Sequence, residues 1–204
     1  MRVGIIGAGK LGTALGRRAV EAGHDVTLAG RPGVIQTALV VEVMVPGARA
    51  AEVTTWDRVD LAVLAVPFSV ALDIDLPLPT GTVLIDPTNH WEPVDGPMPD
   101  LHGLTTSEAT ARRHPRLRWV KSLNQLGYHD LEDGALPAGV QSVMGLATDF
   151  PDAASTVAEF IRSLGMTPVW VGPLASGRLL EPGGPVFGRP VSETQLRHLA
   201  RQAA

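Results

Sequence analysis

A short apolar run, Val3 to Ile6, leads straight into Gly7-Ala8-Gly9-Lys10-Leu11-Gly12, and helical spacing begins at once behind it. This strand, glycine turn and helix constrain the fold more than any other stretch. Gly7 permits a tight strand-to-helix turn, Gly9 lets a pyrophosphate approach the backbone, and Gly12 lets the helix lie close on a sheet. The free N–H groups at the helix start, with the helix dipole behind them, suit an anion. Lys10 and Leu11 fall within the same predicted cofactor seat. The motif alone is weak evidence; its place between strand and helix gives it weight.

Along the remaining chain, apolar runs alternate with helix-like segments, the pattern of a parallel sheet with crossover helices. Strands are predicted at 2–6, 25–29, 61–66, 82–86 and 118–123, with a short one at Val53–Thr54. Helices are predicted at 10–22, stopped by Gly23, and at 34–45, where β-branched residues favour strand but the βαβ order favours helix. Prolines and glycines between 87 and 103 make that stretch a loop. Thr105 and Glu108 have capping-box spacing and start a helix to about Arg113. Beyond it the pattern gives a strand at 140–147, a helix at 151–164 and a strand at 167–171. A helix over Leu174–Leu180 follows, with Arg178 and Glu181 paired one turn apart, and a last helix is capped by Ser192. The expected fold is α/β: a Rossmann-like, doubly wound, mainly parallel sheet with a small C-terminal α/β extension. Residues 1–124 form the dinucleotide-binding core, and 125–204 pack on it within one domain.

The second predicted strand ends at Ala29, and Gly30-Arg31 follows, about 20 residues after the glycine turn, where the fingerprint selects its cofactor. An NAD site places an acid there to hold the ribose 2′-hydroxyl, but no acid occurs between Thr27 and Gln36. Arg31 offers a guanidinium fit to grip a 2′-phosphate and stack on adenine, so NADP is favoured over NAD. Ligands in open α/β sheets sit at the carboxyl ends of strands, which selects Ala65-Val66-Pro67-Phe68, Asp86 to Asn89, and Asn124-Gln125. Phe68 has two readings at that point: packing against the cofactor, or core filling.

These pieces resemble the F420-dependent NADP oxidoreductase family, which includes the cytosolic domain of STEAP-type metalloreductases. The resemblance rests on Gly7–Gly12, Gly30-Arg31, Ala65-Val66-Pro67, Val120-Lys121-Ser122-Leu123-Asn124 and, most specifically, the segment Gly172 to Glu181. It implies an NADP(H)-dependent oxidoreductase, dimeric in most members, that moves hydride between NADP(H) and a partner such as F420, FMN or FAD. In F420-using members the position of Asn124 is His; in metalloreductase-like members it is Asn. Many members carry Ser or Thr where this chain has Gly30, which implies weaker NADP discrimination here.

Hydride transfer between two bound rings needs alignment more than acid–base groups, so the lack of a catalytic triad is no objection. Asn124 is the candidate for contact with the carboxamide or the second ring. His90-Trp91 and Tyr128-His129 are candidates for shaping the second pocket, with His90 or His129 as a hydrogen-bond or proton donor. An alternative is direct reduction of a small imine or carbonyl compound, where His90, Tyr128 or His129 would supply the proton. A non-catalytic NADP(H) sensor is a further alternative.

Composition limits the other classes. With no cysteine, disulfides and thiolate chemistry are excluded. A net charge of −4 without a basic run gives no support to nucleic-acid binding. The remaining histidines lack ligand spacing, so no metal site is expected. No apolar stretch approaches the roughly 18 residues of a membrane span, and the N-terminal run reads as a strand, not a signal peptide. The expectation is a cytoplasmic protein acting on a small redox substrate.

Overall fold

The computed structural model describes residues 1–31, 36–125, 127–129 and 142–203. The strands are β1 (Arg2–Ile6), β2 (Asp25–Ala29), β3 (Arg49–Ala50), β4 (Leu61–Leu64), β5 (Val83–Asp86), β6 (Arg118–Ser122), β7 (Val143–Ala147) and β8 (Thr167–Gly172). The helices are α1 (Lys10–Glu21), α2 (Gln36–Met44), α3 (Phe68–Ala71), α4 (Glu92–Asp95), α5 (Thr106–Ala111), α6 (Pro151–Ser163) and α7 (Glu193–Ala203).

The strands form one sheet in the order β3-β2-β1-β4-β5-β6-β7-β8, with every described pairing parallel except β6 with β7. The Rossmann-like α/β architecture expected from the sequence is therefore found, and β7 and β8 extend the same sheet. Chain order reverses between β1 and β4. That switch point is where such sheets open a crevice at their carboxyl ends.

Helices cover both faces, so the central strands read as unbroken apolar runs; all four residues of β4 are buried. Side chains alternate between faces. Val3 and Ile5 join Leu15, Ala19, Val41 and Phe160 in one core, whereas Ile6, Ala62 and Leu64 join Trp56, Leu84 and Trp119 in the other. At Gly4 the Trp56 ring occupies the place of a side chain, since a Cβ there would lie 2.4 Å from Cζ3. A third cluster, including Val169, Val171, Leu180, Val186 and Leu196, seats α7 on β8.

Three expectations of secondary structure need correction. Val53–Thr55 is a single 3-10 turn, and the edge strand is Arg49–Ala50, pinned to β2 by an Arg49–Asp25 ion pair at 2.7 Å. The 87–103 loop holds one helical turn, Glu92–Asp95, because Asp95 accepts from the Trp91 amide (2.7 Å) and closes it. Leu174–Leu179 is a 3-10 helix, not an α-helix. The helix expected at 34–45 is found over Gln36–Met44, where tertiary position overrides β-branched propensity; 34 and 35 lie outside the described residues, as do 140 and 141 before β7. Both predicted caps are present, with reciprocal bonds between Thr105 and Glu108 and between Ser192 and Gln195.

Candidate functional site

The glycine turn sits on the carboxyl end of β1, between β2 and β4. The Gly7 amide donates to the Ala29 carbonyl and the Ala65 amide to the Ile6 carbonyl, each at 2.7 Å. Gly7 has φ +115°, and a Cβ on it would lie 2.1 Å from the Ala65 carbonyl oxygen. A Cβ on Gly12 would lie 1.9 Å from the Gly7 carbonyl oxygen. Gly9 differs: a Cβ there would meet no heavy atom within 4 Å. Packing therefore requires glycine at 7 and 12, whereas at Gly9 the fold leaves open space. Gly9 also caps α1 without a side-chain oxygen, and the first turn of α1 contains no acid, which leaves its N–H groups for an anion from outside.

Lys10 is exposed beside this turn, with Nζ 3.1 Å from the Tyr128 hydroxyl and 5.1 Å from its ring centroid. Leu11 is half-buried against the core. The Tyr128 and His129 rings lie 3.9 Å apart. Arg31 is exposed just past the end of β2. A Cβ on the preceding Gly30 would lie 2.1 Å from Thr37 Oγ1. The Thr37 side chain, from the first turn of α2, thus fills the space that a side chain at 30 would need and brings its hydroxyl beside Gly30. Sequence reading missed Thr37 because the contact joins a strand end to the following helix.

Ala65 underlies Gly7, Val66 is half-buried, and Pro67 is exposed at the N-cap of α3. Phe68 is 1% exposed and meets His90 edge-on, so its ring fills the core. His90 Nε2 lies 2.9 Å from the Gly96 carbonyl oxygen. A carbonyl only accepts, so Nε2 donates the proton of this bond. Asp95 braces this loop. Burial resists its ionisation, but amide bonds from Ser69 and Trp91 outweigh that and hold its pKa below the usual carboxylate range. Trp91 is 62% exposed, with Val94 and Met98 also exposed nearby in the chain.

At the end of β6 the backbone takes an unusual step. Leu123 has φ +60°, a left-handed conformation that costs a non-glycine residue about 1–2 kcal/mol. Asn124 follows, 2% exposed. Its Nδ2 donates to Asn89 Oδ1 (3.0 Å) and to the Leu180 carbonyl (2.7 Å), while Asn89 Nδ2 donates to the Asn124 carbonyl (3.0 Å). These bonds fix the amide orientation and leave Asn124 Oδ1 buried without a partner. Thr88 Oγ1, one residue before Asn89, is also buried and unpartnered. Buried acceptors are rarely left unpaired, so these two at strand carboxyl ends stand out.

Beneath this pair lies a charged cluster that sequence reading did not find. Lys121 is fully buried; its Nζ donates to the Thr88 carbonyl and to Thr106 Oγ1, and lies 3.9 Å from Asp86 Oδ2 and 3.8 Å from Glu181 Oε1. Asp86 accepts from Ser107 Oγ and the Thr88 amide; Glu181 accepts from the Thr106 amide and hydroxyl. The expected Arg178–Glu181 pair does not form. Glu181 turns inward to the start of α5, and Arg178 Nε donates to the Ala175 carbonyl instead. The signal available in the sequence was Lys121 itself, a cation set within an apolar run.

Against known proteins, the profile of the family described as NADP oxidoreductase, coenzyme F420-dependent, matches residues 2–90, so the resemblance drawn from the motifs is found again over the glycine turn, Arg31 and Ala65–Pro67. No curated protein matches by sequence. Among solved structures, the chain is similar to hypothetical protein SMa0349 from Sinorhizobium meliloti, at 28% identity and TM-score 0.82, with 94% of this chain and 95% of that one covered. It is also similar to a protein from Arthrobacter sp. provisionally named an F420-dependent NADP-reductase, at 20% identity and TM-score 0.71, covering 94% and 99%. An imine reductase from Aspergillus terreus, solved with NADPH4 and a dibenzazepine, shares the fold at 14% identity and TM-score 0.57, covering 86% of this chain and 56% of that one. Among the described residues, no helix is long and apolar enough to cross a membrane.

Proposed function

We propose that this chain is an NADP(H)-dependent oxidoreductase that moves hydride between the nicotinamide and a flavin or deazaflavin. The observation that carries the reading is the open space at Gly9, set over N–H groups that no side chain caps. The chain's residues fit such a dinucleotide at both ends. Arg31 grips the 2′-phosphate, with Thr37 beside it as a second donor. The α1 N-terminus holds the pyrophosphate, and Asn124 Oδ1 takes an N–H from the carboxamide or the second ring. When bound, the nicotinamide supplies the hydride. The protein's part is alignment and exclusion of water, for which two rings need no triad.

Stopped-flow NADPH oxidation against FMN, FAD and F420 tests the reading in wild type and Arg31→Ala. The variant is expected to lose about 1–3 kcal/mol of NADPH binding, roughly five- to 150-fold, with little change for NADH. Equal loss for both cofactors, or none, contradicts the role given to Arg31.

A second reading, reduction of a small imine, is favoured by one observation: the Tyr128 hydroxyl accepts from Lys10 and, among the described residues, donates its own proton to none. His90 has committed its Nε2 proton to Gly96 and is the poorer donor. Under this reading Tyr128→Phe lowers imine turnover about 10²-fold, the usual worth of a positioned acid, while leaving flavin reduction unchanged. Unaltered imine turnover in Tyr128→Phe removes it.

A further inference from the structure

The two acceptors that orient Asn124 belong to separate parts of the chain, yet each lies one residue from a partner of Lys121. Asn89 follows Thr88, whose carbonyl accepts from Lys121 Nζ; Leu180 precedes Glu181, whose carboxylate lies 3.8 Å from the same atom. The orphan Oδ1 can point only one way while both acceptors stay in place. We propose that Lys121 is a positioning residue for Asn124: its buried ammonium ties the post-β5 loop to the Gly172–Glu181 segment, and so sets the side-chain amide that presents Oδ1 to a bound ring.

The arrangement suits that task. Lys121 has no exposed surface, and its ammonium shares its surroundings with two carboxylates that helix α5 holds by Thr106 and Ser107. Gly177 packs against the stem, where a Cβ would lie 3.1 Å from Lys121 Cγ. A compact ammonium with three donors can address the loop carbonyl, the Thr106 hydroxyl and both carboxylates from one point; a planar guanidinium cannot. Leu123, in its left-handed turn, swings Asn124 across to this junction. Such strain persists only where the surroundings over-determine it.

This inference rests on Asn124 meeting the nicotinamide or second ring, and its test separates the two. The positioning role is read by NMR, from hydrogen exchange of the Asn124 side-chain amide, assigned through its loss in Asn124→Asp. In Lys121→Met and in Glu181→Gln, which keeps the shape and removes one charge, that exchange is expected to quicken at least about tenfold as the local holding energy falls. Backbone amides of β1 and β4 should lose protection by no more than each variant's loss of global stability, as should Gly145, whose N–H is held by Gln125 beside Asn124. Unchanged exchange of the Asn124 amide in Glu181→Gln, or loss that spreads equally to Gly145, overturns the positioning role. The ring role is read by calorimetry, comparing NADP with 2′-phospho-ADP-ribose, which lacks the nicotinamide. Asn124→Ala is expected to weaken NADP alone, by about tenfold. A quickened amide with an unchanged ratio in Asn124→Ala overturns the ring assignment and leaves the positioning role standing.

Discussion

Gly12→Ala is expected to destabilise the fold, whereas Gly9→Ala is expected to leave it standing and weaken cofactor binding. The two glycines belong to one motif, yet their surroundings are opposite. At Gly12 a methyl group would lie 1.9 Å from a backbone carbonyl oxygen, and that oxygen belongs to the turn that sets the entry of α1. Neither partner is a flexible side chain, so relief requires moving the helix off the sheet. Overpacking of this kind costs about 3 kcal/mol or more, a large part of the roughly 5–15 kcal/mol by which a domain is stable. At Gly9 the same methyl group enters open space. Its cost is that of a poorer N-cap, offset by a less flexible unfolded chain, and should stay within about 1 kcal/mol. The methyl group would, however, stand where a pyrophosphate approaches, and NADPH affinity should fall at least about tenfold. Urea unfolding and fluorescence titration with NADPH read the two quantities separately. Equal losses of stability at both positions, or full NADPH affinity in Gly9→Ala, would refute the division of roles.

Much of this was legible in the sequence, because local rules and tertiary position agreed. The glycine turn, the Thr105–Glu108 cap and the apolar strands 61–64 and 83–86 each obey a short-range pattern that burial then reinforces. The misread elements share a cause. Arg49–Ala50 is a strand only because Asp25 and the β2 edge meet it, and Glu92–Asp95 is helical only because Asp95 closes its own turn. The site was legible in the same uneven way. Arg31 and Asn124 stand at strand ends, where position alone nominates them. Thr37 and Lys121 gain their roles from residues between 7 and 60 positions away, and no spacing rule reaches that far; Asn89 stands at a strand end too, but its bond to Asn124, 35 positions on, has no local signal.

The buried cluster carries the other large expected effect. Lys121→Met should cost about 3–5 kcal/mol, because it strands Asp86, fully buried, and Glu181, 14% exposed, without their cation. The carboxylates keep their hydrogen bonds from Ser107, Thr88 and Thr106, which limits the damage but does not cancel a buried charge. Adding Glu181→Gln to Lys121→Met should restore about 1–2 kcal/mol, since one of the two stranded anions is gone while the shape is kept. The coupling follows from geometry: residues sharing one ion cluster do not contribute additively. Denaturant unfolding of the two single variants and the double variant measures it directly. A double variant less stable than Lys121→Met alone, by the full cost of Glu181→Gln, would show that the ammonium and the Glu181 carboxylate do not act on one another, and the Gly172–Glu181 segment would then owe its seat to the apolar contacts of Leu174, Leu179 and Leu180.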